Sequence, residues 1–263
     1  MKSIFQVRLL LAVLLLTTGA VLLLAERPRP TFPIYDNMFY KRKPDTAMSG
    51  LIPSNILYED KIWPSHQGAG TLPNHDTFLA LVRAATTNPG PLVIDIESVS
   101  VRVSPDIARR NAEMLAELAD WARQAAPGKV IGYYGTNTLS DIPEANFAIA
   151  RALAQHVDAF FPPTYTFDDD RSRWEKRAER VSDEARQLAS NKPVYFYLCP
   201  QYHFGSGKAF RYVTADYWKF QLETSHRYAD GMVIWSSSSY VWDDRTGWWD
   251  ATQQFAESLR LTK

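Results

Sequence analysis

At 263 residues, with 46% hydrophobic and 13% aromatic side chains, the chain can bury the core of one large domain or two small ones. Lysine and arginine total 29, as do aspartate and glutamate, so there is no basic field to hold a nucleic-acid backbone. The composition excludes a disordered or collagen-like chain, and the lone Cys199 excludes an intrachain disulfide framework.

In chain order, the N-terminus comes first. Lys2 and Arg8 precede an apolar run from Leu9 to Ala25, interrupted by Thr17, Thr18 and Gly19 and ended by Glu26 and Arg27. Basic, apolar and small residues in that order read as an export signal cut after Ala25. The run is also long enough for an uncleaved membrane anchor. Either reading places the folded part outside the cytoplasm, as a secreted, periplasmic or membrane-tethered protein. Residues 26–45 are expected to be linker and barrel entry, and 46–263 the folded domain.

Short β-type runs then alternate with helical stretches. Strands are expected at 32–38, 55–59, 91–97, 129–135, 159–165, 193–199 and 232–236. Several are continuously apolar, as parallel strands buried on both faces must be. Ser104-Pro105 supplies an N-cap and a first-turn proline. Ile107, Met114, Leu115, Leu118 and Ala119 follow at helical spacing, and Pro127-Gly128 ends the run. Helices are also expected at 144–157, 171–189, 214–228 and 249–261. Strand–helix alternation over nearly the whole length implies βα units. The expected fold is α/β: a TIM-like (β/α) barrel, distorted, with seven strands. In such barrels the reacting groups gather at the C-terminal ends of the strands.

One strand end carries two acids. In Pro91-Leu-Val-Ile-Asp-Ile-Glu97, alternation points Asp95 and Glu97 the same way, roughly 6–7 Å apart along the backbone. If Leu92 and Ile94 face the helices, both acids face the barrel axis. Two acids in one confined space raise one pKa, leaving one group charged and the other holding a proton. Adjacent acids on one strand suit hydrolysis in which a sugar's own 2-acetamido carbonyl attacks the anomeric carbon. They suit less well a pair placed on opposite sides of the bond. Glu97 would protonate the leaving oxygen and later activate water; Asp95 would hold the acetamido N–H. By itself the D-x-E pattern is weak. Tyr133-Tyr134-Gly135, Thr164-Tyr165 and Trp235 at other strand ends add hydroxyls and aromatic faces suited to a sugar.

With these residues in place, the chain resembles the hyaluronidase family of glycoside hydrolases over roughly residues 50–240. The order carries the resemblance: Ile56-Leu57-Tyr58 before Trp63-Pro64, the D-x-E strand, Tyr134-Gly135, Pro162-Pro163-Thr164-Tyr165, Pro193-Val194-Tyr195 and Val233-Ile234-Trp235. The resemblance implies Asp95 as the acetamido-positioning acid and Glu97 as the proton donor. It implies Tyr134 and Tyr165 as substrate-contacting tyrosines and Trp235 as the floor of the site. Tyr58, Tyr133, Tyr202 and His203 complete the expected substrate-binding set. The implied activity is a retaining endo-β-N-acetylhexosaminidase acting on a polysaccharide, with neither metal nor cofactor. Ile96 and Val99-Ser100-Val101 stand where the family carries tryptophans, Ser236–Ser239 replaces a second tryptophan after Trp235, and His203 stands where an acid is expected. These departures and the balanced charge argue against hyaluronan itself. A chitinase-like or galactosaminidase-like barrel glycosidase, and a non-catalytic carbohydrate-binding barrel at the cell surface, remain as alternatives.

The remaining features read as structural. His66, His75, His156 and His226 lack metal-ligand spacing, and Asp168-Asp169-Asp170 reads as acid at a helix N-terminus. Trp242, Trp248 and Trp249 are expected to cover the barrel end.

Overall fold

A computed structural model describes residues 31–66, 68–135 and 142–261; the expected leader lies outside them. Strand β1 (Ile34–Met38) pairs in parallel with β2 (Ile52–Pro53) on one side and β7 (Gly231–Ser236) on the other, and β6 (Tyr195–Leu198) pairs with β7. A second parallel sheet runs β3 (Asn55–Tyr58), β4 (Leu92–Asp95), β5 (Ile131–Tyr133).

Two junctions join the sheets into a barrel. At Ser54 the chain turns from one sheet to the other: the Ser54 amide donates to Asp36 O of β1 at 2.9 Å, and the Asn55 amide to Pro91 O beside β4 at 2.9 Å. Opposite, residues 159–166 bridge β5 and β6 through the pairs Tyr134↔Phe161, Phe160↔Val194 and Pro163↔Tyr197. This segment occupies the place of the expected strand at 159–165 without forming a regular ladder, because Pro162 and Pro163 have no N–H to contribute. Counting the bent 52–58 stretch once, seven parallel segments form the wall. The first strand, β1, falls inside the expected entry segment.

Helices α1 (Glu59–Ile62), α2 (His75–Ala85), α3 (Pro105–Ala125), α4 (Phe147–Gln155), α5 (Arg171–Leu188), α6 (Ala215–Tyr228) and α7 (Trp248–Leu261) follow. Sequence reading missed α2, which Asn74 caps by accepting from the Thr77 amide at 3.0 Å. Strand alternation divides the core. Leu92, Ile94, Phe196, Met232 and Ile234 pack outward against the helices, while Tyr35, Val93, Phe161, Tyr195, Tyr197 and Val233 fill the barrel. Gly132 has to be glycine: a Cβ there would lie 2.4 Å from Ala159 O and 2.7 Å from the Phe161 ring. Cys199 is buried in the inner layer. Trp248 and Trp249 are buried, and the three C-terminal tryptophans pack on one another and around Tyr40, Tyr212 and Trp218.

Candidate active site

The pleat of β4 aims the two acids. Ile94 and Ile96 are buried in the outer layer and Val93 in the inner one, so Asp95 and Glu97 continue the inner face past the strand's end. Both line a cavity of about 410 Å³, within the range of about 300–1,000 Å³ usual for small-molecule sites. Tyr134, Tyr165, Tyr197, His203 and Trp235 share its wall. Glu97 is the more exposed acid and also borders a second opening of about 270 Å³, beside Arg102, Arg177 and Arg180.

Burial, reinforced by the charges of Glu97 and Glu59, pushes the Asp95 carboxyl up to about 7. Its Oδ1 is buried without a hydrogen-bond partner. Two other atoms on the same wall share that condition, the Tyr197 hydroxyl and His203 Nδ1. Buried polar groups are ordinarily paired, so these three atoms on one cavity wall are free to bond a polar ligand. Burial, then the nearby Arg177 charge, lowers the His203 pKa and favours the neutral ring.

The aromatic wall is tightly built. The Tyr165 ring stacks on His203 at 5.2 Å and lies 5.9 Å from Trp235; Tyr134 lies 5.2 Å from Tyr197. Trp235 Nε1 points to the Tyr58 hydroxyl at 3.5 Å, which places Tyr58 behind Trp235. Phe167 and Phe204 stand exposed at the rim around His203.

Two further expected binding residues, Tyr133 and Tyr202, also lie outside the cavity wall. Tyr133 faces outward, and its hydroxyl donates to Leu115 O of α3 at 2.6 Å. Neighbours in a strand point to opposite faces, so Tyr133 and Tyr134 cannot both enter the cavity. Tyr202 also turns away from its neighbour His203 and donates to Asp169, which is also paired with Lys208. Sequence reading missed Tyr197, although its parity with Tyr195 in β6 marks it as inward-facing. It also missed Glu59 and the rim phenylalanines, which carry no motif.

The fold is a (β/α) barrel with this acidic, aromatic pocket at the C-terminal strand ends. No family model matches the chain, and no curated protein does. Solved structures do. Bee venom hyaluronidase superposes with a TM-score of 0.61 at 16% identity, covering 87% of this chain and 97% of the other. The structure of bee venom hyaluronidase in complex with hyaluronic acid tetramer gives 0.59 at 17%, covering 87% and 96%. A chitinase from Chromobacterium violaceum gives 0.50 at 12%, covering 86% and 92%. The chain therefore shares the barrel fold of these enzymes.

Proposed function

We propose that the protein is a glycoside hydrolase that cuts N-acetylhexosamine-containing polysaccharide with retention, outside the cytoplasm, the acetamido group of the substrate serving as nucleophile. The observation that carries this reading is the orphaned, buried Asp95 Oδ1 in a sugar-sized cavity beside Glu97. An acetamido N–H is the kind of donor that such an oxygen lacks.

The chemistry follows from the two environments. In the free protein Asp95 titrates near 7 and holds a proton below that value. Accepting the acetamido N–H favours the ionised form of Asp95. The proton is then available to Glu97, which stands where the cleft opens on both sides. Glu97 delivers it to the glycosidic oxygen as the acetamido oxygen bonds to the anomeric carbon and the glycosidic bond breaks. The Asp95 carboxylate steadies the resulting cyclic cation. Glu97 then removes a proton from water as that water opens the ring, which restores the original anomer and the acid. Tyr134, Tyr165, Tyr197, His203 and Trp235 hold the sugar.

The similarity to a hyaluronidase and a chitinase supports the class. The departures around Ile96 and His203 leave the polymer to experiment. Purified protein should be offered hyaluronan, chondroitin, chitin and bacterial exopolysaccharides, with products followed by mass and by anomeric NMR. Expected is release of oligosaccharides of retained anomer from a polymer that carries N-acetyl groups, and none once it is de-N-acetylated. Inverted products, or equal cutting of the de-N-acetylated polymer, would refute substrate assistance. Glycan binding without new reducing ends would leave a binding barrel.

A further inference from the structure

A third carboxylate holds the end of the acidic strand. Glu59 opens α1 at the C-terminal end of β3, the strand paired with β4. It is buried, and its Oε2 accepts the Glu97 amide at 2.9 Å and the Ser98 amide at 3.0 Å. Its Oε1 accepts the Ser98 hydroxyl and lies 3.3 Å from His66 Nδ1. Burial alone would raise its pKa. The bonds from the Ser98 hydroxyl and amide, the Glu97 amide and His66 outweigh that and hold it below the usual carboxylate range.

The need for such a tether is visible in the ladder. The regular pairing of β4 with β3 ends at Tyr58↔Asp95 and with β5 at Ile94↔Tyr133. Glu97 therefore lies beyond the last regular pair on either side, and its amide has no strand partner. Resting on the hydrolase reading above, we infer that Glu59 is a positioning residue: its carboxylate replaces the missing strand partner of Glu97 and Ser98 and so fixes the Glu97 side chain at the mouth of the cavity. Glu59 does not line that cavity, so it acts through the backbone rather than on the sugar. It also places a negative charge near Asp95.

Tether and charge separate in two substitutions. Glu59→Asp keeps the charge but withdraws the carboxylate by one methylene from both amides. Glu59→Gln keeps a carbonyl acceptor within reach and removes the charge. Each is read by amide hydrogen exchange at Glu97 and Ser98, by kcat and KM on the polymer that the wild type cuts, and by the NMR titration of Asp95.

For Glu59→Asp, exchange at both amides should quicken by about tenfold or more. Its kcat per folded molecule should fall by about 10- to 100-fold with KM within about twofold, since a displacement on the order of 1 Å at a reacting group costs that much. The Asp95 midpoint should not move. Glu59→Gln should keep both amides protected and kcat within about threefold, while the Asp95 midpoint drops. If Glu59→Asp does not fold, Ser98→Ala, which removes the hydroxyl from the same carboxylate, should show the amide effect at reduced size. Wild-type exchange and kcat in Glu59→Asp, or a kcat lost only in proportion to unfolded protein, would overturn the inference. A wild type that cuts no polymer would refute the hydrolase reading and leave the exchange result to decide the tether.

Discussion

The two ends of the barrel differ in the polar atoms they leave unpaired. At the N-terminal ends of the strands polar side chains are paired, whether buried like Asn55 or half-buried like Asp158, Asp230 and Lys192. Asn55 donates to the carbonyls of Asn88, Gly90 and Pro91 and accepts the Asn88 amide. Asp158 accepts the Ile131 amide and Arg123, and Asp230 accepts the Val194 amide and Arg186. Lys192 donates to the carbonyls of Ala154, Gln155 and Val157. At the C-terminal ends Asp95, Tyr197 and His203 each keep a buried atom without a partner. An unmade hydrogen bond on a buried group costs about 1–3 kcal/mol. The C-terminal end therefore forgoes stability at those three atoms, where a ligand can enter.

That contrast can be broken most decisively at Glu97. Glu97→Gln should lower turnover by about 10²- to 10⁴-fold, the usual worth of a general acid, with an unchanged thermal midpoint. A loss of stability of similar rank would move Glu97 from the open end's logic to the paired end's.

Asn55→Ala tests the other end. It removes the side-chain partner of the Gly90 carbonyl and of the Asn88 amide, and should destabilise the fold by about 1–3 kcal/mol in urea titrations without changing kcat per folded molecule. Asp95→Asn should do the reverse at alkaline pH. Asp95 binds its proton more tightly folded, near 7, than at its ordinary value of 3.8. Stability therefore declines as pH rises from about 4 to about 7, and then levels off. Relieved of that buried charge, Asp95→Asn should be more stable than wild type by on the order of 1–2 kcal/mol at pH 8, with no gain at pH 4, and poorly active at both.

The smallest effects sharpen the comparison within one residue type. Tyr133→Phe deletes a paired hydroxyl and should cost about 0.5–1.5 kcal/mol of stability with KM unchanged. Tyr197→Phe deletes an orphaned one and should raise KM without lowering stability. Identical outcomes for the two would erase the distinction.

Much of this is legible in residue order, and the misses have separate causes. The alternation in Pro91–Glu97 placed both acids correctly on the inner face, because a strand has only two faces and the isoleucines occupy the other. The same rule makes one neighbour turn away in each of Tyr133-Tyr134 and Tyr202-His203. Applied to Tyr195, it would have found Tyr197. The segment at 159–165 reads as one of the β-type runs, while its two prolines reduce the pairing to single bridges. Glu59 could not be read at all: its role is a contact 38 residues away in sequence, with backbone amides that no motif encodes.

The most direct test is the carboxyl titration of Asp95, followed by carbon NMR in the free protein and again with an N-acetylhexosamine oligosaccharide. The expected midpoint is near 7 and falls when the sugar's N–H reaches Oδ1. A midpoint near 4 in the free protein, or one that the bound sugar leaves in place, would contradict it.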